Sequence, residues 1–172
     1  DESIPNFVFS DETKLKQVLS NIISNAIKFT PNNGKVSFDV KLLTLNENTA
    51  SVRFSVKDEG IGISPENQKS IFEPFSQADG TISRKYGGTG LGLAISLNII
   101  KMLGSEIKLI SKENEGSLFY FDLDLVVQDV SNFDSSKLKY DFAICNIIED
   151  TENIKNHLAS VVKYFGRIHQ GD

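Results

Sequence analysis

The sequence predicts an α+β fold, a two-layer α/β sandwich with three helices on one face of a mixed, mostly antiparallel sheet. Three observations predict it. Four segments alternate apolar and polar residues with period two, the mark of a strand with one face on a core. Three other segments carry the 3.6-residue period or the end signals of helices. Turn-forming residues at 46–48 join the first two clear strands as a hairpin, which favours antiparallel pairing.

The elements follow in order. A short strand is expected around residues 7–9. Residues 11–29 place Leu15, Val18, Leu19, Ile22 and Ala26 on one helical face, with Asp11 as the N-cap. Val36, Phe38, Val40 and Leu42 line one strand, and Val52, Phe54 and Val56 the next. Ser64-Pro65-Glu66 reads as a helix start: a capping hydroxyl, a proline whose missing N–H costs nothing there, then an acid in the first turn. Residues 91–103 form an apolar helix that Gly104 stops. Ile107 and Leu109 mark a further strand, and Phe119, Phe121, Leu123 and Leu125 the last of this unit.

Beyond it, residues 128–138 read as a linker, rich in Asp, Asn and Ser. Residues 139–172 look like the truncated start of a second α/β domain, with a strand at 140–148, a helix at 153–165 and a strand at 167–169. One strand and one helix bury too little apolar surface to stand alone, so they are expected to pack on residues 1–127 or on another copy.

Composition narrows the function. With 40% hydrophobic and 24% charged residues, 172 residues suffice for one well-buried core and something more. A net charge of −5 argues against a general nucleic-acid binder, which needs a basic surface to neutralise phosphates. No apolar run approaches the ~18 residues of a membrane span, and no signal-peptide pattern opens the sequence. A cytoplasmic domain without direct membrane contact is expected, within a parent that is free to be membrane-bound. The single cysteine, Cys145, forbids an intrachain disulfide; its apolar surroundings suit a buried thiol and a reducing compartment.

Three clusters carry the chemistry. Asn21, Asn25 and Lys28 share one stripe at the edge of the apolar face of the first helix. Two amides and an ammonium there can reach a ligand beside the helix, and a neutral amide oxygen suits a Mg²⁺ that already carries phosphates; the plainer reading is a solvated helix flank. Asp58-Glu59-Gly60-Ile61-Gly62 stands where a strand ends. A carboxylate there can accept from an exocyclic amine, and glycines let backbone approach a flat ring; the plainer reading is a turn. Gly87-Gly88-Thr89-Gly90-Leu91-Gly92 runs straight into a helix, with Arg84 and Lys85 just before. Glycine-rich backbone feeding a helix N-terminus is an anion site. It is neither a Walker loop nor a dinucleotide fingerprint, because the lysine and the spacing are wrong.

In this order the clusters resemble the catalytic, ATP-binding domain of sensor histidine kinases, the hybrid kinases in particular. That domain has the Bergerat fold of the GHKL superfamily, shared with gyrase, mismatch-repair ATPases and a heat-shock chaperone family. Residues 17–30 resemble its asparagine box, and Asp58 to Gly62 its first glycine box. Phe72-Glu73-Pro74-Phe75 is similar to the phenylalanine box, Gly88 to Gly92 to the second glycine box, and Gly116-Ser117 to a terse last glycine motif. The resemblance spans residues 5–127, so that 1–127 is read as the kinase domain.

The resemblance implies ATP and Mg²⁺ as ligands. Asn25 would bind the metal, with Asn21 and Lys28 on the phosphate side; these three are the implied catalytic set. Asp58 would hold the adenine amine in a pocket shaped by Gly60 and Gly62. Residues 76–87 would form a lid bringing Arg84 or Lys85 to the phosphates, while Gly88, Gly90 and Gly92 let the backbone close on them. Phe29, Ile63, Thr89, Leu91 and Ser117 complete the implied nucleotide contacts.

The hydrolysing relatives carry a glutamate where Asn21 stands, and an amide cannot act as that base. The site is therefore expected to present the γ-phosphate to a histidine and not to water. Neither His157 nor His169 has the context of the family's phosphoacceptor, so the acceptor is expected on a dimerisation domain of the same parent protein. A receiver domain or response regulator would follow downstream, and residues 139–172 resemble the opening of a receiver-type domain. The rival readings are a GHKL-type ATPase, which Asn21 disfavours, and a non-catalytic nucleotide-binding or docking module.

Overall fold

Asp11 begins the first helix as its sequence requires. Its extended backbone turns the side chain back to accept from the Lys14 N–H at 3.0 Å, satisfying one of the donors a helix start leaves open. The computed structural model describes residues 4–5, 8–76 and 89–127. Within these, the order is β1 (Val8–Phe9), α1 (Glu12–Phe29), β2 (Val36–Leu45), β3 (Thr49–Asp58), α2 (Asn67–Ser70), α3 (Gly92–Met102), β4 (Lys108–Lys112) and β5 (Gly116–Val127). Helix α1 ends where Thr30 turns to extended backbone before Pro31, and the Thr30 hydroxyl donates to the Ala26 carbonyl at 2.6 Å.

The sheet runs β1-β5-β3-β2, with β4 also on β5, and every ladder among the described residues is antiparallel. β2 and β3 form the expected hairpin, closed by Asn46 N–H donating to Thr49 O at 2.9 Å. A bulge between Leu42 and Thr44 shifts the register near its tip. β2 runs past its alternation into the exposed Leu43 and Leu45, whereas β3 extends at both ends, where Ala50 and Asp58 are still buried.

One face of the sheet meets α1 and α3. Ala50, Val52, Phe54 and Val56 of β3 and Phe119, Phe121, Leu123 and Leu125 of β5 bury against Leu15, Val18, Leu19, Ile22, Ile23 and Ala26 of α1. Ile99 and Ile100 of α3 join the same core. Phe54 and Phe121 are register partners and stack at 5.3 Å between ring centroids. Truncating the fully buried Phe121 to alanine would cost about 3–5 kcal/mol, enough to threaten the fold.

Two helix ends instruct. At α3, Gly104 N–H bonds Lys101 O and Ser105 N–H bonds Ile100 O, both at 3.0 Å, with Gly104 at φ +80. This is a Schellman stop, as Gly104 predicts. The Ser64-Pro65-Glu66 start is corrected. Asn67 and Gln68 both donate to the Ser64 carbonyl, Glu66 already has helical backbone, and the helix is a single turn over Asn67–Ser70. It stops because Ile71 and Phe72 turn in to the core, where Phe72 meets Phe119 edge-on at 6.4 Å. All of the expected lid at 76–87 except Ser76, the expected linker and residues 139–172 lie outside the described residues, as do Arg84, Lys85, Gly88, Cys145, His157 and His169. No helix among the described residues is long and apolar enough to cross a membrane.

Candidate functional site

β3 delivers Asp58 to the end of the sheet opposite Val36 and Ser117, and leaves it only 5% exposed. Oδ1 accepts from Gly60 N–H at 2.8 Å and Ser117 N–H at 3.2 Å, and no hydrogen bond among the described residues uses Oδ2. Burial raises the carboxyl above the usual carboxylate range, and the two backbone donors only partly offset it. The result is an anchored carboxylate with one acceptor oxygen to spare.

The loop after Asp58 is pinned on both sides. Ile61 N–H donates to Phe29 O at the end of α1, and Asn114 N–H in the β4–β5 turn donates to Ile61 O at 2.8 Å. Gly62 and Gly116 both hold positive φ, +66 and +88, at points where backbone meets backbone. A Cβ would fall 1.9 Å from Lys112 O at Gly62, and 2.0 Å from Asp58 O at Gly116. Only glycine meets both demands. Ser111 fastens the far side: its hydroxyl accepts from Ile63 N–H at 2.9 Å and lies 3.0 Å from the Ser117 hydroxyl. Gln68 Nε2 donates to both Ile63 O and Ser111 O. Sequence reading missed Ser111 and Gln68.

On α1, Asn21, Asn25 and Lys28 sit half-buried along one edge. The Lys28 ammonium lies 4.8 Å from the Phe29 ring centroid. The Asn25 amide makes no hydrogen bond among the described residues, whereas Asn21 Nδ2 donates to Ser96 Oγ on α3 at 2.9 Å. Asn21 also occupies the volume a side chain at Gly92 would fill, with Oδ1 2.2 Å from that Cβ position. Helix α3 therefore starts against the asparagine stripe. Its N-cap residue, Leu91, offers no side-chain cap, which leaves first-turn N–H groups for an outside acceptor. Gly90, at φ +68, accepts from Phe75 N–H, and Thr89 is exposed. Among the described residues no three of His, Cys, Asp and Glu converge on a possible metal, so a cation here would need oxygens from a ligand.

Ser96 was missed as well; a lone hydroxyl on the inward face of an apolar helix was the available signal. The structure thus gathers Asp58, Gly60, Gly62, Ile63 and Ser117 at one corner, behind Phe29. It brings Asn21 and Gly92 together at another.

This fold and these corners define an ATPase-type domain. The family model described as histidine kinase-, DNA gyrase B- and HSP90-like ATPase matches residues 10–127, and the chain belongs to that family. It is 38% identical over 122 residues to the signal transduction histidine-protein kinase BarA of Escherichia coli K12, covering 71% of this chain and 13% of BarA. It is 44% identical over 121 residues to the sensor protein GacS of Pseudomonas syringae pv. syringae, covering 70% of this chain and 13% of that protein. Histidine protein kinase 1 of Candida albicans matches 91% of the chain at 34% identity, and the match covers 6% of that kinase. The chain thus spans a small part of the relatives it matches. Among solved structures, the ThkA histidine kinase catalytic domain superposes with a TM-score of 0.54 at 36% identity, covering 66% of this chain and 68% of that one. Full-length ShkA in complex with AMPPNP gives 0.57 at 30% identity, covering 73% of this chain and 24% of that one.

Proposed function

We propose that this chain is the ATP-binding, catalytic part of a two-component histidine kinase. It holds Mg-ATP between α1, the loop after β3 and the start of α3. It presents the γ-phosphate to a histidine on a separate dimerisation domain of the same parent, from which a receiver domain or response regulator takes it. The observation that carries the reading is Asp58: a buried carboxylate with one oxygen tied to backbone and the other uncommitted, as recognition of an adenine amine requires.

The residues present fit the ligands. Gly60 and Gly62 let the loop pack closely on Phe29 and Lys112 and so shape the adenine corner, which Ile63 and Ser117 would line. The uncapped start of α3, at Leu91 and Gly92, accommodates phosphate oxygens, with Thr89 and Gly90 leading into it. Asn25 would hold the magnesium ion, since its amide carries no other bond among the described residues, while Asn21 and Lys28 flank the phosphates. When bound, the ion neutralises phosphate charge as the phosphoryl group transfers. Arg84, Lys85 and Gly88 would complete the phosphate side. No carboxylate stands at Asn21 to activate water, so the chain supplies positioning and charge and leaves the nucleophile to the partner domain. The ShkA structure is of a complex with AMPPNP, which supports nucleotide binding by this chain.

Calorimetric titration tests the reading, with ADP and a slowly hydrolysed ATP analogue, each with and without Mg²⁺. Mg-dependent binding with negligible turnover is expected. Substituting Asn25→Ala should abolish the Mg-dependent part; if Asn25→Ala binds Mg-ATP as tightly as the parent chain, the metal role is wrong. Absence of any nucleotide binding would leave a docking module as the better reading.

A further inference from the structure

Ser96 is 1% exposed on the face of α3 that meets the core, beside Ile99 and Ile100. A hydroxyl buried there is unfavourable unless bonded. Its partner is the Asn21 amide, 2.9 Å away and 75 residues earlier in the chain. The same amide is held on its other side by the start of α3. A Cβ on Gly92 would lie 2.2 Å from Oδ1, 2.8 Å from Cγ and 3.0 Å from Nδ2. Gly92 and Ser96 are one helical turn apart, so a single helix edge grips Asn21 at two points.

We propose that Ser96 is a positioning residue for Asn21. By accepting from Nδ2, it holds the Asn21 side chain in place, with Oδ1 at the first turn of α3. It also ties the asparagine stripe of α1 to the α3 N-terminus, so the two parts of the polyphosphate site keep one geometry. Gly92 then serves Asn21 directly, by leaving the space the amide occupies. This inference rests on the nucleotide-binding reading for its functional consequence, but the Asn21–Ser96 coupling can be measured without any nucleotide.

The experiment uses the ¹⁵N-labelled full chain. The Asn21 side-chain N–H protons, assigned by their loss in Asn21→Ala, should exchange slowly with solvent. They should speed up in Ser96→Ala. In calorimetry, Ser96→Ala should weaken the Mg-bound ATP analogue roughly fivefold, the effect of one lost hydrogen bond. Mg-free ADP, held mainly at the Asp58 corner, should change less. The double variant Asn21→Ala/Ser96→Ala should bind the analogue like Asn21→Ala alone, because Ser96 acts through Asn21. Additive losses, or an analogue affinity unmoved by Ser96→Ala, overturn the proposal. So does an Asn21 amide that exchanges in the unmodified chain as fast as an exposed asparagine, a measurement that holds even if Ser96→Ala fails to fold. Should the unmodified chain bind no nucleotide, the proposed function fails, and the exchange data still decide whether Ser96 orients Asn21.

Discussion

Asn21 and Gly92 share one volume: the amide of Asn21 fills the space that a side chain at position 92 would occupy, with Oδ1 2.2 Å from the Cβ position. Alanine is the better helix former, so the local backbone would favour Gly92→Ala. The atoms it meets belong to a side chain, which can swing away at the cost of its bond to Ser96, about 1 kcal/mol. The expected outcome is a melting temperature within a few degrees of the parent and a Mg-nucleotide affinity lower by roughly ten- to a hundredfold. Thermal unfolding and calorimetry on the same sample check this. Parent-like affinity would show that the position of Asn21 does not matter.

Asp58 makes a prediction in which fold and function part company. An asparagine in its place would keep an oxygen for the Gly60 and Ser117 N–H groups while removing a buried charge. Asp58→Asn should therefore fold at least as stably at neutral pH and lose adenine affinity by about tenfold or more, the scale of a charge-assisted hydrogen bond. The pH dependence follows from the raised carboxyl. Because the folded chain holds this proton more tightly than the unfolded chain, ionising it costs stability as pH rises through its raised value, and acid restores it. Nucleotide affinity moves the other way, falling as acid protonates the carboxylate. Titrations at several pH values should show that fall in the parent chain and a flat profile in Asp58→Asn.

Glycines with positive φ separate strain from collision. Gly104, at φ +80, has nothing within 4 Å of its Cβ position, so Gly104→Ala should cost only the left-handed backbone penalty of about 1–2 kcal/mol. Gly62→Ala and Gly116→Ala add collisions with backbone oxygens at 1.9 and 2.0 Å, which cannot rotate away. Each should cost about 3 kcal/mol or more and disorder the Asp58 corner. Denaturant unfolding of the three variants checks the order. A Gly116→Ala chain as stable as Gly104→Ala would contradict the close approach of Gly116 to Asp58.

Legibility in the sequence followed locality. Helix α1 was readable to within a residue because Asp11, the apolar stripe and Thr30-Pro31 lie along one continuous segment. The β2–β3 hairpin was readable because one face of each strand is buried and its turn residues are adjacent. The strand order was not, since β5 pairs with β1 and β3 across long separations that alternation does not encode. Ser64-Pro65-Glu66 marked a helix start but not its length, and Phe72 turns in against Phe119 after a single turn. At the site, Asp58 and the glycines were visible because their residue types are costly elsewhere. Ser96 and Ser111 were not, because a serine on a helix or strand gains meaning only from partners such as Asn21 and Ser117.

On the face of the sheet away from the helices, Arg53 and Asp122 are register partners joined at both ends: Nε to Oδ1 at 2.7 Å and Nη2 to Oδ2 at 2.8 Å. The guanidinium also lies 4.7 Å from the Tyr120 ring centroid. Hydrogen bonds from Arg53 hold the Asp122 carboxyl below its ordinary value, against a smaller opposing effect of burial. Its stabilisation is complete above the unfolded carboxyl's ordinary value of 3.8 and is lost as pH falls through the depressed folded one. Both side chains keep a third or so of their surface in water, so solvent screening limits the pair to about 0.5–1 kcal/mol. Asp122→Asn should lose that amount at neutral pH, and the deficit should close in acid. Arg53→Lys should lose nearly as much, because an ammonium cannot make the two-pronged contact or stack on Tyr120. Urea unfolding from neutral pH into the acid range checks this. The parent-minus-variant difference should shrink toward acid for Asp122→Asn, whereas Asp58→Asn, whose stabilising advantage also fades in acid, should start from the opposite sign. A deficit in Asp122→Asn that persists once the parent's Asp122 is protonated would mean that the charge pair is not what the substitution removes.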